Sequence, residues 1–241
     1  MKLSAKNKTN KQKRKPFYNL CYDLAKITGA PSALLWLRPK IYYPFGKPSK
    51  KGALLVSSNH CTFIDPIIIQ LSFPWRRLNC LATKDLFERK VTNFLFTQMH
   101  CIVVDKDNFS LSSFHEVVDR LNSGKIVVIF PEGQVNTEGR SPVLAFKSGA
   151  VLMAHRAGAP ILPMYIVKRD KWYHRQRVII GETVDVCEML GKMPSMEDMT
   201  RVSELLREKE VELKEYFEAL PIYKRLHKNE NDNEEFTGEH L

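Results

Sequence analysis

The sequence predicts an α/β domain: a largely parallel central sheet with helices on both faces, preceded by an N-terminal pair of amphipathic helices. Short apolar runs alternate with helical stripes from residue 53 to residue 167, which is typical of a parallel sheet covered by helices. The 241 residues and the 44% hydrophobic content suffice for one sizeable core. We therefore expect one domain over 41–225, preceded by segments 1–16 and 17–40 and followed by an acidic tail, 226–241.

The N-terminal segment divides into a basic tail and a helix pair. Residues 1–16 contain seven Lys or Arg and no acid, which predicts a disordered cationic tail. Residues 17–37 are rich in aromatic and aliphatic side chains and are interrupted by Gly29-Ala30-Pro31, so we predict two short helices. An apolar face flanked by cations is typical of an interfacial membrane anchor. An ordinary helix pair packed on the core would show the same pattern.

The elements of the domain follow in order along the chain. Strands are predicted at 53–56, 78–82, 101–104, 126–130 and 161–167, and helices at 67–71, 85–98, 111–121, 147–156 and 197–220. Asp65-Pro66 supplies an N-cap and a first-turn proline for the first of these helices. Ser113 and Glu116 form a candidate capping box for the helix at 111–121, and Gly124 ends it.

The formal net charge of +10 implies an anionic partner, which is nucleic acid, an acidic membrane or a phosphorylated substrate. No RNA-binding signature or helix-turn-helix pattern stands out, so we favour an anionic membrane surface and expect no nucleic-acid partner. The longest charge-free apolar segments are shorter than the roughly 18 residues that span a bilayer, and no signal peptide is evident. Five cysteines far apart in sequence predict reduced intracellular thiols. We expect a peripheral protein on the cytoplasmic face of a membrane.

A histidine followed five residues later by an aspartate suits a general base that is oriented by a carboxylate. The sequence contains three such pairs: His60–Asp65, His100–Asp105 and His227–Asp232. On a continuous helix or strand this separation turns the two side chains apart. Only His60–Asp65 spans a turn between a predicted strand and a helix start, so we select it. An N-cap aspartate beside an unrelated loop histidine would fit the same residues equally well.

Two rival sites use the neighbouring thiols. Cys61 beside His60 suggests a Cys–His nucleophile, but adjacent residues in an extended loop point apart. A zinc site from the His and Cys residues lacks the close paired spacing of structural zinc; its candidates are His60, Cys61, Cys80, His100 and Cys101. We rank both below the His–Asp pair.

A second polar loop follows the most β-branched predicted strand. Phe130-Pro131-Glu132-Gly133 contains a glycine that permits close backbone approach to a ligand. The polar residues after it are suited to holding a headgroup: Gln134, Asn136, Thr137 and Arg140. Taken alone, the segment also fits an ordinary turn.

In combination these segments resemble the glycerolipid acyltransferase family, which includes the 1-acyl-glycerol-3-phosphate acyltransferases. The residues from Ser58 to Asp65 resemble its NHxxxxD block, and Phe130–Gly133 resembles its FPEG block. Residues 82–87, 146–150 and 159–165 resemble three further blocks. The match is colinear over about residues 50–170.

The resemblance implies a direct transfer of an acyl group from a thioester to a lipid hydroxyl. His60 would act as the general base on the hydroxyl, and Asp65 would orient the imidazole and stabilise its charged form. Acyl-CoA or acyl carrier protein would be the donor, with no metal or other cofactor. The substrate-binding residues would be Lys84, Lys106, Glu132, Gly133, Gln134 and Arg140.

Two departures from the family pattern concern arginines. The family's second block offers a glycine and ends in arginine, whereas Met99–Lys106 has neither and places Lys106 at that arginine. The FPEG block is usually followed by Thr-Arg-Ser, but here by Gln134-Val135-Asn136. A lysine cannot reproduce the two hydrogen bonds by which arginine grips a phosphate, and the cations left to compensate are Lys84, Lys106, Arg140 and Lys147. We expect a lysophospholipid-type acceptor; the alternatives are a glycolipid or aminolipid acceptor, or a thioester hydrolase.

Overall fold

The computed structural model describes residues 16–105, 110–136, 145–169 and 171–223. Its seven strands are β1 (Lys40–Tyr42), β2 (Leu54–Ser58), β3 (Leu78–Thr83), β4 (Ile102–Val104), β5 (Ile126–Ile129), β6 (Ile161–Val167) and β7 (Arg177–Ile180). Its helices are α1 (Pro16–Leu37), α2 (Asp65–Ser72), α3 (Lys90–Gln98), α4 (Leu111–Asn122), α5 (Gly149–Ala157), α6 (Val186–Met189) and α7 (Met196–Ala219). A short 3-10 helix, Lys84–Phe87, links β3 to α3.

The described strands form one sheet in the order β1-β7-β6-β2-β5-β3-β4. Neighbouring strands are parallel, except for the antiparallel β6–β7 pair. The predicted largely parallel sheet is therefore confirmed. The prediction omitted β1 and β7, because β1 has only three residues and β7 follows a strongly charged loop.

Helices cover both faces of the sheet, as predicted. Leu55 and Val127 point to a core formed with α4, α5 and α7. Their chain neighbours Val56 and Val128 point to the opposite face, where they pack with α1 and α2. Because side chains alternate along a strand, an uninterrupted apolar run such as Leu54–Val56 supplies both cores.

The predicted N-terminal helix pair is wrong, since α1 is one helix of 22 residues with Pro31 inside it. The Ser32 hydroxyl donates to the Gly29 carbonyl at 2.9 Å at the predicted break. The Tyr22 hydroxyl accepts a 2.9 Å hydrogen bond from the Leu78 amide, and Leu37 is fully buried at the other end of the helix. This anchoring at both ends outweighs the roughly 3 kcal/mol that an interior proline costs.

Two helix starts also differ from the prediction. The helix predicted at 85–98 is divided into the 3-10 helix and α3, with Arg89 in an extended conformation between them. The cap of α4 is Ser110, whose hydroxyl accepts the Ser113 amide at 3.2 Å, and not the predicted pair Ser113 and Glu116. Ser113 instead donates its hydroxyl to the Val103 carbonyl at 2.7 Å.

The predicted tails lie outside the described residues, apart from Pro16 at the start of α1. Within the described ranges, none of the helices combines the length and apolar character that crossing a bilayer requires.

Candidate active site

The first candidate loop leaves the carboxyl end of β2 and is fixed to β6 by a side chain. The Asn59 amide group donates to the Ile166 carbonyl at 3.0 Å, and its oxygen accepts the Ile166 amide at 2.7 Å. Asn59 thereby continues the β2–β6 pairing by one residue and directs the chain into the turn that carries His60.

Asp65 turns its carboxylate back into this loop. Its Oδ2 accepts the Cys61 amide at 2.7 Å and the Thr62 amide at 2.8 Å, and its Oδ1 accepts the Thr62 hydroxyl at 2.7 Å. The predicted N-cap is therefore wrong, because the cap position of α2 is Ile64 and Asp65 is the first helical residue. The fully buried carboxylate is held by hydrogen bonds from the loop.

His60 completes the pair. Its Nδ1 lies 2.9 Å from Asp65 Oδ2, and because a carboxylate only accepts, Nδ1 carries the proton. The Phe130 ring stacks on the imidazole with centroids 4.0 Å apart and planes 16° from parallel. The side chain retains 17% exposure, so the geometry leaves Nε2, the nitrogen turned away from Asp65, as the basic atom.

The segment that follows the FPEG turn is hydrogen-bonded to the His60 loop. The Asn136 amide donates to the His60 carbonyl at 2.7 Å, and the Gly133 amide donates to the Phe130 carbonyl at 3.0 Å. Gly133 has φ +71°, and a Cβ there would lie 3.1 Å from Lys147 Nζ. The predicted juxtaposition of the two loops is therefore present in the structure.

The remaining predicted site residues differ in burial and in distance from the His60 loop. Glu132 is buried in the FPEG turn, whereas Gln134 is exposed beside it. Lys84 is exposed at the carboxyl end of β3, two strands from β2. Lys106 and Arg140 lie outside the described residues. Lys147 was also predicted as a compensating cation, and its ammonium group lies against the turn at Gly133.

Glu210, which the sequence analysis missed, lies beneath the site on α7. It is fully buried, and its Oε1 accepts the Ser57 hydroxyl at 2.6 Å. Burial raises the pKa of Glu210 well above its usual range and the nearby Glu132 raises it further, although hydrogen bonding from Ser57 opposes this. Glu210 shares a helix face with Leu206, Leu213 and Phe217, and a glutamate in an apolar stripe is the signal that identifies it.

The thiol alternative is disfavoured by its surroundings. Burial, together with the Asp65 and Glu132 carboxylates, raises the pKa of Cys61 to about 12. Its sulfur contacts the Ile166 carbonyl, and a protonated thiol is a poor nucleophile. As for the zinc alternative, the described residues contain no group of three or more His, Cys, Asp or Glu side chains arranged to hold a metal.

The α/β sheet carries a His–Asp pair at its carboxyl edge, with the Asp65 carboxylate buried and the His60 imidazole partly exposed, an arrangement found in enzymes that use a general base. Residues 40–167 match the family described as Acyltransferase, and the chain belongs to this family.

Among curated relatives, the chain is 28% identical over 126 residues to the 1-acyl-sn-glycerol-3-phosphate acyltransferase of Borreliella burgdorferi, covering 52% of this chain and 49% of the relative. It is 30% identical over 121 residues to the enzyme of the same name from Limnanthes douglasii, covering 49% and 42%. The chain thus spans about half the length of the curated relatives it matches. The crystal structure of the 1-acyl-sn-glycerophosphate (LPA) acyltransferase PlsC from Thermotoga maritima is similar with a TM-score of 0.58 and 21% identity, over 83% of this chain and 80% of that one. This likeness shows the fold.

Proposed function

We propose that this protein is an O-acyltransferase that moves a fatty acyl group from acyl-CoA or acyl carrier protein to a lysophospholipid-type hydroxyl, as the 1-acylglycerol-3-phosphate acyltransferases do. The observation that carries the proposal is the 2.9 Å contact of His60 Nδ1 with Asp65, beside the FPEG turn whose Phe130 ring stacks on the imidazole. Family membership and the names of the matched relatives support the same activity.

In this mechanism His60 Nε2 removes the proton from the acceptor hydroxyl while the hydroxyl oxygen attacks the thioester carbonyl carbon. The carbon–sulfur bond then breaks, and the imidazolium returns the proton to the leaving thiolate. Asp65 stabilises the imidazolium and holds the tautomer in which Nε2 is unprotonated. General-base catalysis of this kind contributes about 10²–10⁴-fold in rate.

The proposed function includes association with an anionic membrane, where the lipid acceptor resides. One face of α1 exposes Leu20, Leu24, Ile27 and Leu35, which repeat at helical spacing. Phe63, between the two members of the His–Asp pair, is 85% exposed. An apolar surface of this extent favours a membrane contact beside the site. Five free cysteines support the cytoplasmic face as part of the same proposal.

A non-phosphate lysolipid remains the second candidate acceptor, because Gln134 follows Gly133 where the resemblance calls for a threonine and then an arginine. The test incubates the purified protein with oleoyl-CoA or oleoyl-acyl carrier protein and a panel of lysolipids, followed by product analysis. We expect a new acyl ester and a loss of about 10²-fold or more in His60→Ala, whereas His115→Ala, on the exposed side of α4, keeps full activity. Free fatty acid as the sole product would assign a hydrolase, and full activity in His60→Ala would overturn the mechanism.

A further inference from the structure

A basic cavity of about 120 Å³ lies between the β6–β7 hairpin and the C-terminal part of α7. Its lining includes five cationic side chains: Lys168, Arg169, Arg175, Arg177 and Lys214. Among the described residues that line it, Glu218 is the one acid, and its carboxylate already binds Lys214 at 2.8 Å. The described lining of the cavity therefore carries an excess of positive charge.

Arg177 is the most buried of these cations, with 9% exposure. Its Nη1 donates to the Arg175 carbonyl at 3.1 Å, and its guanidinium lies 6.0 Å from the centre of the Phe217 ring. Within the described part of the chain no carboxylate forms an ion pair with it. A buried cation without an opposite charge destabilises the fold, so a bound anion would offset this cost and take up the remaining donors.

The cavity opens at the same edge of the sheet as the His–Asp pair. Arg177 pairs with Val167 at the carboxyl end of β6, and β6 lies parallel and adjacent to β2. Lys168 follows β6 directly and acts electrostatically on Cys61, whose pKa it lowers against the larger opposing effect of burial. An anion held here would lie one strand away from the loop of His60.

We propose that this cavity binds a phosphate group of one of the two substrates. The inference rests on the proposed acyltransferase function and deepens it, because the arginine that the resemblance calls for after the FPEG turn is absent and other cations must hold the phosphate. Arginine suits this role through paired hydrogen bonds. The volume exceeds that of a single-water site several-fold, enough for a tetrahedral oxyanion. The phosphate of a lysolipid acceptor and the phosphates of acyl-CoA offer the same chemistry.

The first test measures binding without turnover. Isothermal titration calorimetry measures the binding of CoA and of a short-chain 1-acylglycerol 3-phosphate to the full chain. The variants are Lys168→Met and Arg177→Met. Matched controls are Lys192→Met and Arg156→Met, whose side chains lie beyond the opposite end of β6 and are exposed. We expect the dissociation constant of one phosphate-bearing probe to rise about tenfold or more in both cavity variants. It should be unchanged in both controls. The probe that responds identifies the source of the phosphate.

The second test uses turnover to separate the two substrates. Lys168→Met should lower kcat/KM for 1-acylglycerol 3-phosphate but not for 1-monoacylglycerol if the cavity holds the acceptor phosphate. It should lower kcat/KM for acyl-CoA but not for acyl-pantetheine if the cavity holds the donor phosphate. Because Lys168 is exposed, this variant decides the matter even if Arg177→Met does not fold.

Three results would overturn the proposal. The first is unchanged binding of both probes in the cavity variants. The second is a loss of probe binding in the control variants as large as that in the cavity variants. The third is weaker binding of the cavity variants to anionic lipid vesicles while their binding of both probes is unchanged. If the wild-type protein binds a probe through the cavity but transfers no acyl group, the proposed function fails while the phosphate site stands.

Discussion

The hydroxyl of Ser57 donates a 2.6 Å hydrogen bond to the fully buried carboxyl group of Glu210. Ser57 belongs to β2, two residues before Asn59, and Glu210 belongs to α7. This hydrogen bond joins the strand that carries the His60 loop to the long C-terminal helix. A change of charge on Glu210 would therefore alter its hydrogen bond with Ser57, close to the start of the candidate catalytic loop.

The raised pKa of Glu210 predicts a pH-dependent stability. In the folded protein the group keeps its proton above the pH at which it ionises in the unfolded chain. The folded state therefore binds more protons, and the free energy of unfolding falls as pH rises through the folded pKa. We expect Glu210→Gln, which stays neutral, to remove this loss, which is at most about 1.4 kcal/mol per pH unit. Urea unfolding between pH 5 and pH 8 measures the difference.

The control for this experiment is Glu212→Gln, an exposed position on the same helix. Its unfolding free energy should follow the wild-type pH dependence. Parallel curves for wild type and Glu210→Gln would show that Glu210 is not protonated in the folded protein.

Thr62 is predicted to position Asp65. Its hydroxyl is the donor to Asp65 Oδ1, while Oδ2 receives the contacts from His60 and two backbone amides. Thr62→Val removes this donor at similar volume. We expect kcat to fall about tenfold, as for the loss of a hydrogen bond to a charged group, with KM little changed. Thr62→Ser should restore the rate, and an active Thr62→Val enzyme within twofold of wild type would refute the role.

Gly133 is predicted to be required for activity as well as for stability. Alanine at φ +71° costs about 1–2 kcal/mol, and its methyl group would also displace the flexible end of the Lys147 side chain, which adds little to the loss of stability but changes the site. Gly124 has φ +69° in open space, so Gly124→Ala has the backbone cost alone. We expect both variants to lose similar stability in urea unfolding, but only Gly133→Ala to lose kcat/KM. Equal activity of the two variants would contradict a role for this turn in the site.

The exposed face of α1 is predicted to hold the protein on membranes. Deleting residues 1–37 would not test this cleanly, because Tyr22 and Leu37 belong to the folded core. The double variant Ile27→Gln with Leu35→Gln changes two exposed positions instead. We expect its partitioning onto anionic vesicles in sedimentation assays to fall at least about tenfold.

Met193→Gln serves as the control for the α1 variant, since Met193 is an exposed methionine near the C-terminal end of α5. Its partitioning should match wild type. Equal partitioning of the double variant and wild type would remove α1 from the membrane contact.

The sheet and the meeting of the two candidate loops were predictable because their signals are local. Apolar runs set the strands, and the position of His60 between a strand and a helix start predicted the contact with Asp65 that the structure shows. Local signals failed where distant contacts decide. The buried contacts at the two ends of α1 keep it helical despite Pro31. Asp65 accepts hydrogen bonds from the loop amides and does not cap α2.

The partner of Ser57 could not be identified from sequence, since its position depends on how α7 packs against the sheet. Glu210 looks like one of many charges in α7 until the neighbouring Leu206 and Leu213 are counted on its face. The clustering of the cations around the basic cavity could not be predicted from the sequence either. Arg177 lies beyond the recognised motifs, and the antiparallel pairing of β6 with β7 brings it close to Lys168.

The pairing of β1 with β7 has a consequence for synthesis on the ribosome. Lys40 finds its strand neighbour, Arg177, only after the intervening chain has been made, and translation proceeds at about 5–20 residues per second. β1 therefore has no strand neighbour for at least several seconds after its synthesis, until β7 has been made. During that interval the backbone N–H and C=O groups of β1 are open to partners other than β7.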